Sequence, residues 1–139
     1  MNKRWQVFVS STYEDLRDER HEVIQALMRL DCIPAGMELF PSADDEQWTL
    51  IQKVIDDCDY YIAIIAGRYG SIGPSGKSYT QMEYEYAVSR GIPILAFLHA
   101  APDKLPPNLC ETSVKRPKGT GAVPKLGEEE EDVRILVFA

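Results

Sequence analysis

Short apolar runs alternate with amphipathic stretches along the first hundred residues of the chain. The runs at residues 5–10, 60–66 and 93–98 are rich in β-branched and aromatic residues, and they have the length of strands. Each run therefore predicts a strand buried on both faces. The stretch 32–40 contains Pro34, which cannot donate to a ladder, and it predicts a weaker second strand at an edge.

The first predicted helix follows the first strand. Ser11 with Glu14, or Thr12 with Asp15, has the spacing of a capping box, so we expect a helix to start near Tyr13. Four apolar positions are expected to form one stripe along this helix: Leu16, Val23, Leu27 and Leu30. The charged residues of this segment are expected to lie mostly off the stripe: Glu14, Asp18, Glu19, Arg20 and Glu22.

Two more helices are predicted between the later strands. Acidic residues at 44–46 mark the start of the second helix, which continues to about Asp59. The third runs over residues 82–90 and stops at Gly91. Its start has capping-box spacing twice, for Ser78 with Gln81 and for Thr80 with Glu83. The glycine-rich stretch 67–76 before it is predicted to be a loop with unusual backbone angles.

Strands that alternate with helices through short connections predict right-handed crossovers and a parallel sheet. We expect a three-layer α/β domain with four to five strands and helices on both faces, formed by residues 1–109. Residues 110–139 form an uncertain C-terminal segment with a loop-like stretch and the acidic run 128–132. Residues 133–138 are consistent with a fifth strand or with a loose tail.

Composition narrows the classes of function. A chain of 139 residues has room for one core, and its formal charge of -7 argues against nucleic-acid binding. The three cysteines lack any CxxC pattern, so they indicate neither a disulfide framework nor a zinc site. No stretch has the length of a membrane span or the form of a signal peptide. The sequence predicts a cytoplasmic protein with no membrane partner.

Candidate chemistry lies in the loops beyond the strands' carboxyl ends, where open parallel sheets bind ligands. The glycine loop matches neither the dinucleotide fingerprint nor the P-loop. Three segments are nevertheless candidates to hold a phosphate or ribose: the glycine loop, the hydroxyls beyond the first strand and the start of the third helix. The candidate ligand-binding residues are Ser10, Ser11, Thr12, Arg68, Tyr69 and Thr80. His21 and His99 have no metal-ligand spacing, and we predict neither a metal nor a cofactor.

Glu83 is the candidate catalytic carboxylate, because the first turn of the third helix would place it beside both loops. Two residues along a helix rotate a side chain by about 200°, so Glu85 faces elsewhere. Structural roles stay open for the same residues. Glu83 is equally consistent with the back half of a capping box, and the hydroxyls at 10–12 with plain helix caps.

Three segments resemble a TIR-like family of unknown function: VFVSSTYEDLRDER (7–20), GRYG (67–70) and SYTQMEYEYA (78–87). The spacing of Thr80, Glu83 and Ala87 is also similar to the catalytic helix of nucleoside deoxyribosyltransferases and NAD-cleaving TIR domains. The resemblance implies a flavodoxin-like or TIR-like fold, with Glu83 as the catalytic residue. It also implies that Ser10, Ser11 and Arg68 position phosphates and that NAD is a substrate rather than a cofactor.

Two functions remain open. The first is a TIR-like signalling or defence domain that, on assembly, cleaves NAD or a related nucleotide at its N-glycosidic bond. The alternative is a non-catalytic module for TIR-like self-association or nucleotide binding within a larger protein. The resemblance implies a homo-oligomer, or a fusion to a larger NTPase signalling protein. Self-association would also cover the edge of the fourth strand if the fifth were missing.

Overall fold

The protein was analysed as a computed structural model that describes residues 3–13, 15–36, 45–70, 72–73, 75–101, 104–105 and 133–138. Predictions for residues 37–44 and 106–132 concern parts of the chain outside this description. The elements are, in order, β1 (Gln6–Ser11), α1 (Arg17–Arg29), β2 (Ile33–Gly36), α2 (Asp45–Asp56), β3 (Tyr60–Ile65), α3 (Tyr79–Ser89), β4 (Ile94–His99) and β5 (Val133–Phe138).

The strands form one parallel sheet in the order β2-β1-β3-β4-β5. The predicted three-layer α/β architecture is confirmed, with the apolar run at Tyr60–Ile65 in the centre of the sheet. β2, which contains Pro34, lies at one edge as predicted. Of the two alternatives for the C-terminal segment, the structure has the strand: β5 pairs with β4 from Val133, opposite Ile94, to Phe138.

Helices cover both faces of the sheet. Phe8 of β1 packs in a cluster with residues of α2 and α3, whereas Val7 and Val9 pack in a second cluster with residues of α1. Consecutive strand residues point to opposite faces, so β1 contributes to both clusters. None of the helices in the described ranges is long and apolar enough to cross a membrane.

α1 begins at Arg17, later than the predicted start near Tyr13. Ser10 and Ser11 are the last residues of β1, and Leu16 occupies the N-cap position without a side-chain cap. The interpretation of these hydroxyls as caps of α1 is therefore wrong. The physical reason is that tertiary partners engage both serine hydroxyls, as described below.

The expectation that Arg20 lies off the apolar stripe of α1 is also wrong. Arg20 is among the largest fully buried side chains, while Leu30, predicted on the apolar stripe, is exposed. Arg20 follows Leu16 by four residues and precedes Leu27 by seven, so it lies on the buried stripe of α1. Leu30 lies past the last helical residue, at the C-cap, where the stripe has ended.

α3 begins at Tyr79, and the Ser78 hydroxyl caps it by accepting a 3.1 Å hydrogen bond from the Gln81 backbone amide. This confirms the first of the two capping alternatives. The second is wrong, because Thr80 already lies inside the helix. Glu83 is consequently in the second turn of α3 rather than in the first. Gly91, with a φ of +70°, follows the helix end as predicted.

Candidate active site

The candidate site forms where the carboxyl end of β1 meets α3. Ser10 lies one position beyond Val9 and therefore points to the same face as Phe8, towards α2 and α3. Its Oγ donates a 2.6 Å hydrogen bond to Oε2 of Glu83. The structure thus joins two residues that are 73 positions apart in the sequence, and both are buried.

Glu83 is a buried acid. Only 6% of its surface is exposed, and burial raises its pKa from 4.5 to about 7, although the Ser10 hydrogen bond and the charge of Arg20 both lower it. Burial disfavours the charged carboxylate because a low-dielectric environment solvates it poorly. A carboxyl group with a pKa near neutrality exists in both ionisation states at physiological pH, as acid–base and electrostatic catalysts do.

Tyr61 of β3 lies beside this pair. Its ring stacks on Phe8 with centroids 5.5 Å apart, and it meets Tyr84 of α3 edge-on. Burial first, and then the Glu83 charge, raise the pKa of Tyr61 well above its ordinary value. Ser10 lies close enough to lower that pKa, but the Tyr61 hydroxyl has no hydrogen-bond partner of normal geometry among the described residues. Tyr61 therefore remains a neutral phenol.

Ser11 faces the other side of the sheet. There Arg20 of α1 donates through Nη1 to the Val9 carbonyl at 2.8 Å and to Ser11 Oγ at 3.2 Å. Arg20 is not among the candidate site residues predicted from the sequence. The signal that identifies it is the four- and seven-residue spacing from the buried leucines of α1, because a charge on a buried stripe requires specific partners.

Thr12, the glycine loop and the start of α3 come together at Gly70. Gly70 has a φ of +98°, and a Cβ at this position would lie 3.0 Å from Thr12 Cγ2 and 3.5 Å from Thr80 Oγ1. The glycine lets the loop pass between the two threonines. The Thr12 hydroxyl is buried and has no hydrogen-bond partner among the described residues. A buried hydroxyl without a partner requires an explanation, and contact with a ligand is one.

Tyr69 connects the glycine loop to α3. Its side chain is buried and its hydroxyl donates to Gln81 Oε1. Gln81 in turn donates to Glu85, which also accepts from Lys77 Nζ at 2.9 Å. Glu85 is exposed on the side of α3 away from Glu83, as predicted. Ligand contacts of Tyr69, and of the half-buried Arg68, stay predictions.

The remaining titratable candidates lie apart from this site. His21 pairs with Gln25 on the exposed side of α1, and His99 Nδ1 accepts from the Ala101 amide. Cys32 and Cys58 carry free thiols. Among the residues that the structure describes, no group of three or more His, Cys, Asp or Glu side chains could hold a metal ion.

Comparisons place the chain in a family. It belongs to the family described as a domain of unknown function, DUF4062, which it matches over residues 6–131. No curated protein matches it in sequence. Its fold is similar to that of a CMP N-glycosidase from Clostridium botulinum, BcmB, with a TM-score of 0.55 and 15% identity over 96% of this chain and 88% of that chain. At this identity the likeness shows the fold.

Proposed function

We propose that this domain cleaves the N-glycosidic bond of a nucleotide and that Glu83 is its catalytic carboxylate. The observation that carries the proposal is the 2.6 Å contact between Ser10 and a buried Glu83 at the carboxyl end of a parallel strand. Ligands of open α/β sheets bind at this end. A carboxyl group held there with a pKa near 7 is unusual for a purely structural residue and common in active sites.

The chemistry requires one carboxylate. As the bond between C1′ of the ribose and the base nitrogen breaks, positive charge develops on C1′ and the ring oxygen, and the bonding electrons leave with the base. Ionised Glu83 stabilises this oxocarbenium-like charge. Water then adds to C1′, and its proton goes to the departing base or to the solvent. Ser10 orients the carboxylate towards the sugar throughout.

The phosphate of the nucleotide would lie at the start of α3. The N-terminus of a helix favours an anion, because its first backbone amides are unpaired and its dipole is positive there. The unpartnered Thr12 hydroxyl and the nearby Thr80 supply further donors. Arg68 keeps its predicted role as a phosphate ligand in this arrangement. The predicted role of Ser11 does not fit it, because the Ser11 side chain is buried on the opposite face of the sheet and accepts a hydrogen bond from Arg20.

Two substrates are consistent with the proposal. The motifs that resemble TIR domains favour NAD, cleaved when several copies assemble in a signalling or defence response. The similar fold of a protein named as a CMP N-glycosidase favours a nucleoside monophosphate. Both substrates place a phosphate close to a base–ribose bond, so one site geometry serves either.

One observation favours a second candidate, a domain that binds a nucleotide without cleaving it. Glu83 is almost fully buried and already accepts a hydrogen bond, as a structural carboxyl group in a core would. In that case Glu83 stabilises the junction of β1 and α3, and the domain transmits a signal by binding or self-association.

Substrate panels distinguish these candidates. We would incubate the purified chain with NAD, CMP and the other nucleoside monophosphates over a range of protein concentrations, and detect free base by chromatography. Equilibrium dialysis on the same panel would measure binding. Base release from one class supports the proposal and names the substrate. Binding without any release, up to concentrations that drive self-association, would contradict it and support the binding domain.

A further inference from the structure

Arg20 is buried beneath the sheet on the face opposite Glu83, with 2% of its surface exposed. We propose that Arg20 is a positioning residue that fixes the carboxyl end of β1 from the far face of the sheet and thereby holds the Ser10 hydroxyl against Glu83. This inference rests on the proposed function. It assigns a role to a residue that does not touch the substrate.

The hydrogen bonds of Arg20 bracket Ser10 along the strand. One Nη1 contacts the Val9 carbonyl at 2.8 Å, immediately before Ser10, and Ser11 Oγ at 3.2 Å, immediately after it. The Ser10 side chain lies on the opposite face of the sheet from Arg20 and donates a hydrogen bond to Glu83 there. β1 pairs with β3 as far as Ser11 but with β2 only as far as Val9, so the last two residues of β1 have a ladder partner on one side only among the described residues. The Arg20 guanidinium binds the strand over these same positions.

A charged side chain at this buried position is energetically unfavourable unless its partners compensate for the loss of water. Leu16 and Leu27 occupy the same buried stripe of α1, and a third apolar side chain would extend the packing. Burying a guanidinium carries a desolvation penalty, which its hydrogen bonds offset, and replacement of buried ionic groups by apolar residues is often neutral or stabilising. Packing alone therefore does not account for an arginine here, whereas control of the β1 terminus does.

The charge of Arg20 also reaches the carboxyl group through the sheet. The groups that face Glu83 are the Ser10 hydroxyl from β1, the Tyr61 hydroxyl from β3 and the neighbouring Tyr84. β4 contributes apolar side chains to this cluster. Of the described groups that shift the Glu83 pKa, Arg20 is the cation, and it favours the ionised carboxylate. The Ser10 hydrogen bond that Arg20 holds in place and the charge of Arg20 thus both lower the pKa of Glu83 and favour the ionised carboxylate.

Three variants separate this role from simple stabilisation. Arg20→Met removes the charge and both hydrogen bonds, and Arg20→Lys keeps the charge. Arg17→Met is the matched control, because Arg17 lies on the same helix but is exposed, with its guanidinium 5.1 Å from the Tyr13 ring. All three would be made in the full chain and checked for folding by circular dichroism.

The first readout does not depend on activity. We would titrate the side-chain carboxyl of Glu83 by ¹³C NMR, with the resonance assigned by its loss in Glu83→Gln. Arg20→Met should raise the titration midpoint by about half a pH unit or more, because it removes an opposite charge from the buried site. Arg17→Met and Arg20→Lys should leave the midpoint close to that of wild type. An unchanged midpoint in Arg20→Met would overturn the inference.

The second readout is the rate of base release. Arg20→Met should lower kcat by about tenfold to a hundredfold with a smaller change in KM, since misplacement of a catalytic group acts on the transition state. Arg20→Lys should restore most of kcat. If Arg20→Met fails to fold, Arg20→Gln carries the test, because it removes the charge and keeps a polar side chain, and an unchanged midpoint in that variant would overturn the inference. Absence of turnover in wild type would contradict the proposed function alone, because the NMR titration tests Arg20 separately.

Discussion

Replacement of Glu83 by glutamine should change how the stability of the domain depends on pH. The native carboxyl group has a pKa raised by burial from 4.5 to about 7. Folding therefore favours its protonated form. Its contribution to stability is fully present below the unfolded pKa and is lost as the pH rises through the folded pKa. Glutamine has a similar shape, still accepts a hydrogen bond from Ser10, and does not ionise.

The magnitude follows from the displacement of the pKa. One pKa unit corresponds to about 1.4 kcal/mol, so a rise from 4.5 to about 7 corresponds to about 3 kcal/mol. The free energy of unfolding of Glu83→Gln, relative to wild type, should rise by about this amount between pH 4.5 and pH 8. For a domain of this size the change amounts to roughly 10 °C in Tm.

The assay is urea denaturation of both proteins at several pH values between 4.5 and 8. Glu85→Gln is the matched control, because Glu85 lies on the same helix and is exposed. Desolvation is the largest single cause and raises the pKa of Glu85, but the hydrogen bonds from Lys77 and Gln81 and the charge of Lys77 together lower it below its ordinary value. A lowered pKa acts with the opposite sign: the contribution of Glu85 to stability is present above the unfolded pKa of 4.5 and is lost as the pH falls through the lower folded pKa. Glu85→Gln should therefore differ from wild type by a nearly constant amount over most of the assayed pH range. Parallel pH profiles for wild type and Glu83→Gln would refute the assignment of a raised pKa to Glu83.

Two further substitutions and one alkylation experiment test other parts of the domain. Gly70→Ala should destabilise the domain by about 1–3 kcal/mol in urea denaturation, because an L residue is strained at a φ of +98° and its Cβ would lie 3.0 Å from Thr12 Cγ2. Ser78→Ala should cost about 1 kcal/mol through loss of the α3 cap, measured in the same way, and stability equal to wild type would argue against that cap. Cys58, whose pKa burial raises to about 12, should resist alkylation in the native protein at pH 8 and react after denaturation, as followed by mass spectrometry.

Local sequence signals were sufficient for most of the sheet. The run at Tyr60–Ile65 is apolar throughout, as expected for the central strand of a covered sheet, and all of it except Tyr60 is buried. Pro34 marked the edge strand because it lacks a donor. The last strand, at Val133–Phe138, could not be decided from sequence. It pairs with β4 across more than thirty intervening residues, and local pattern contains no information on such pairing.

The site was predicted in part. Glu83 and Ser10 were both chosen from their expected places at the sheet's carboxyl end, but their direct contact depends on the exact register of β1 and α3. The hydroxyls after β1 were open to interpretation as caps, because Ser and Thr satisfy backbone amides and tertiary partners equally well. Arg20 was missed because charge was given more weight than its position on the buried stripe of α1.

The central claim is that Glu83 cleaves a base from a nucleotide, and its most direct measurement compares base release by wild type, Glu83→Gln and Glu85→Gln at equal concentrations of folded protein. The account predicts release by wild type and by Glu85→Gln, and a loss of at least about a hundredfold in Glu83→Gln. Equal release by Glu83→Gln and wild type would contradict it, because the carboxyl group beside Ser10 would then have no part in the reaction.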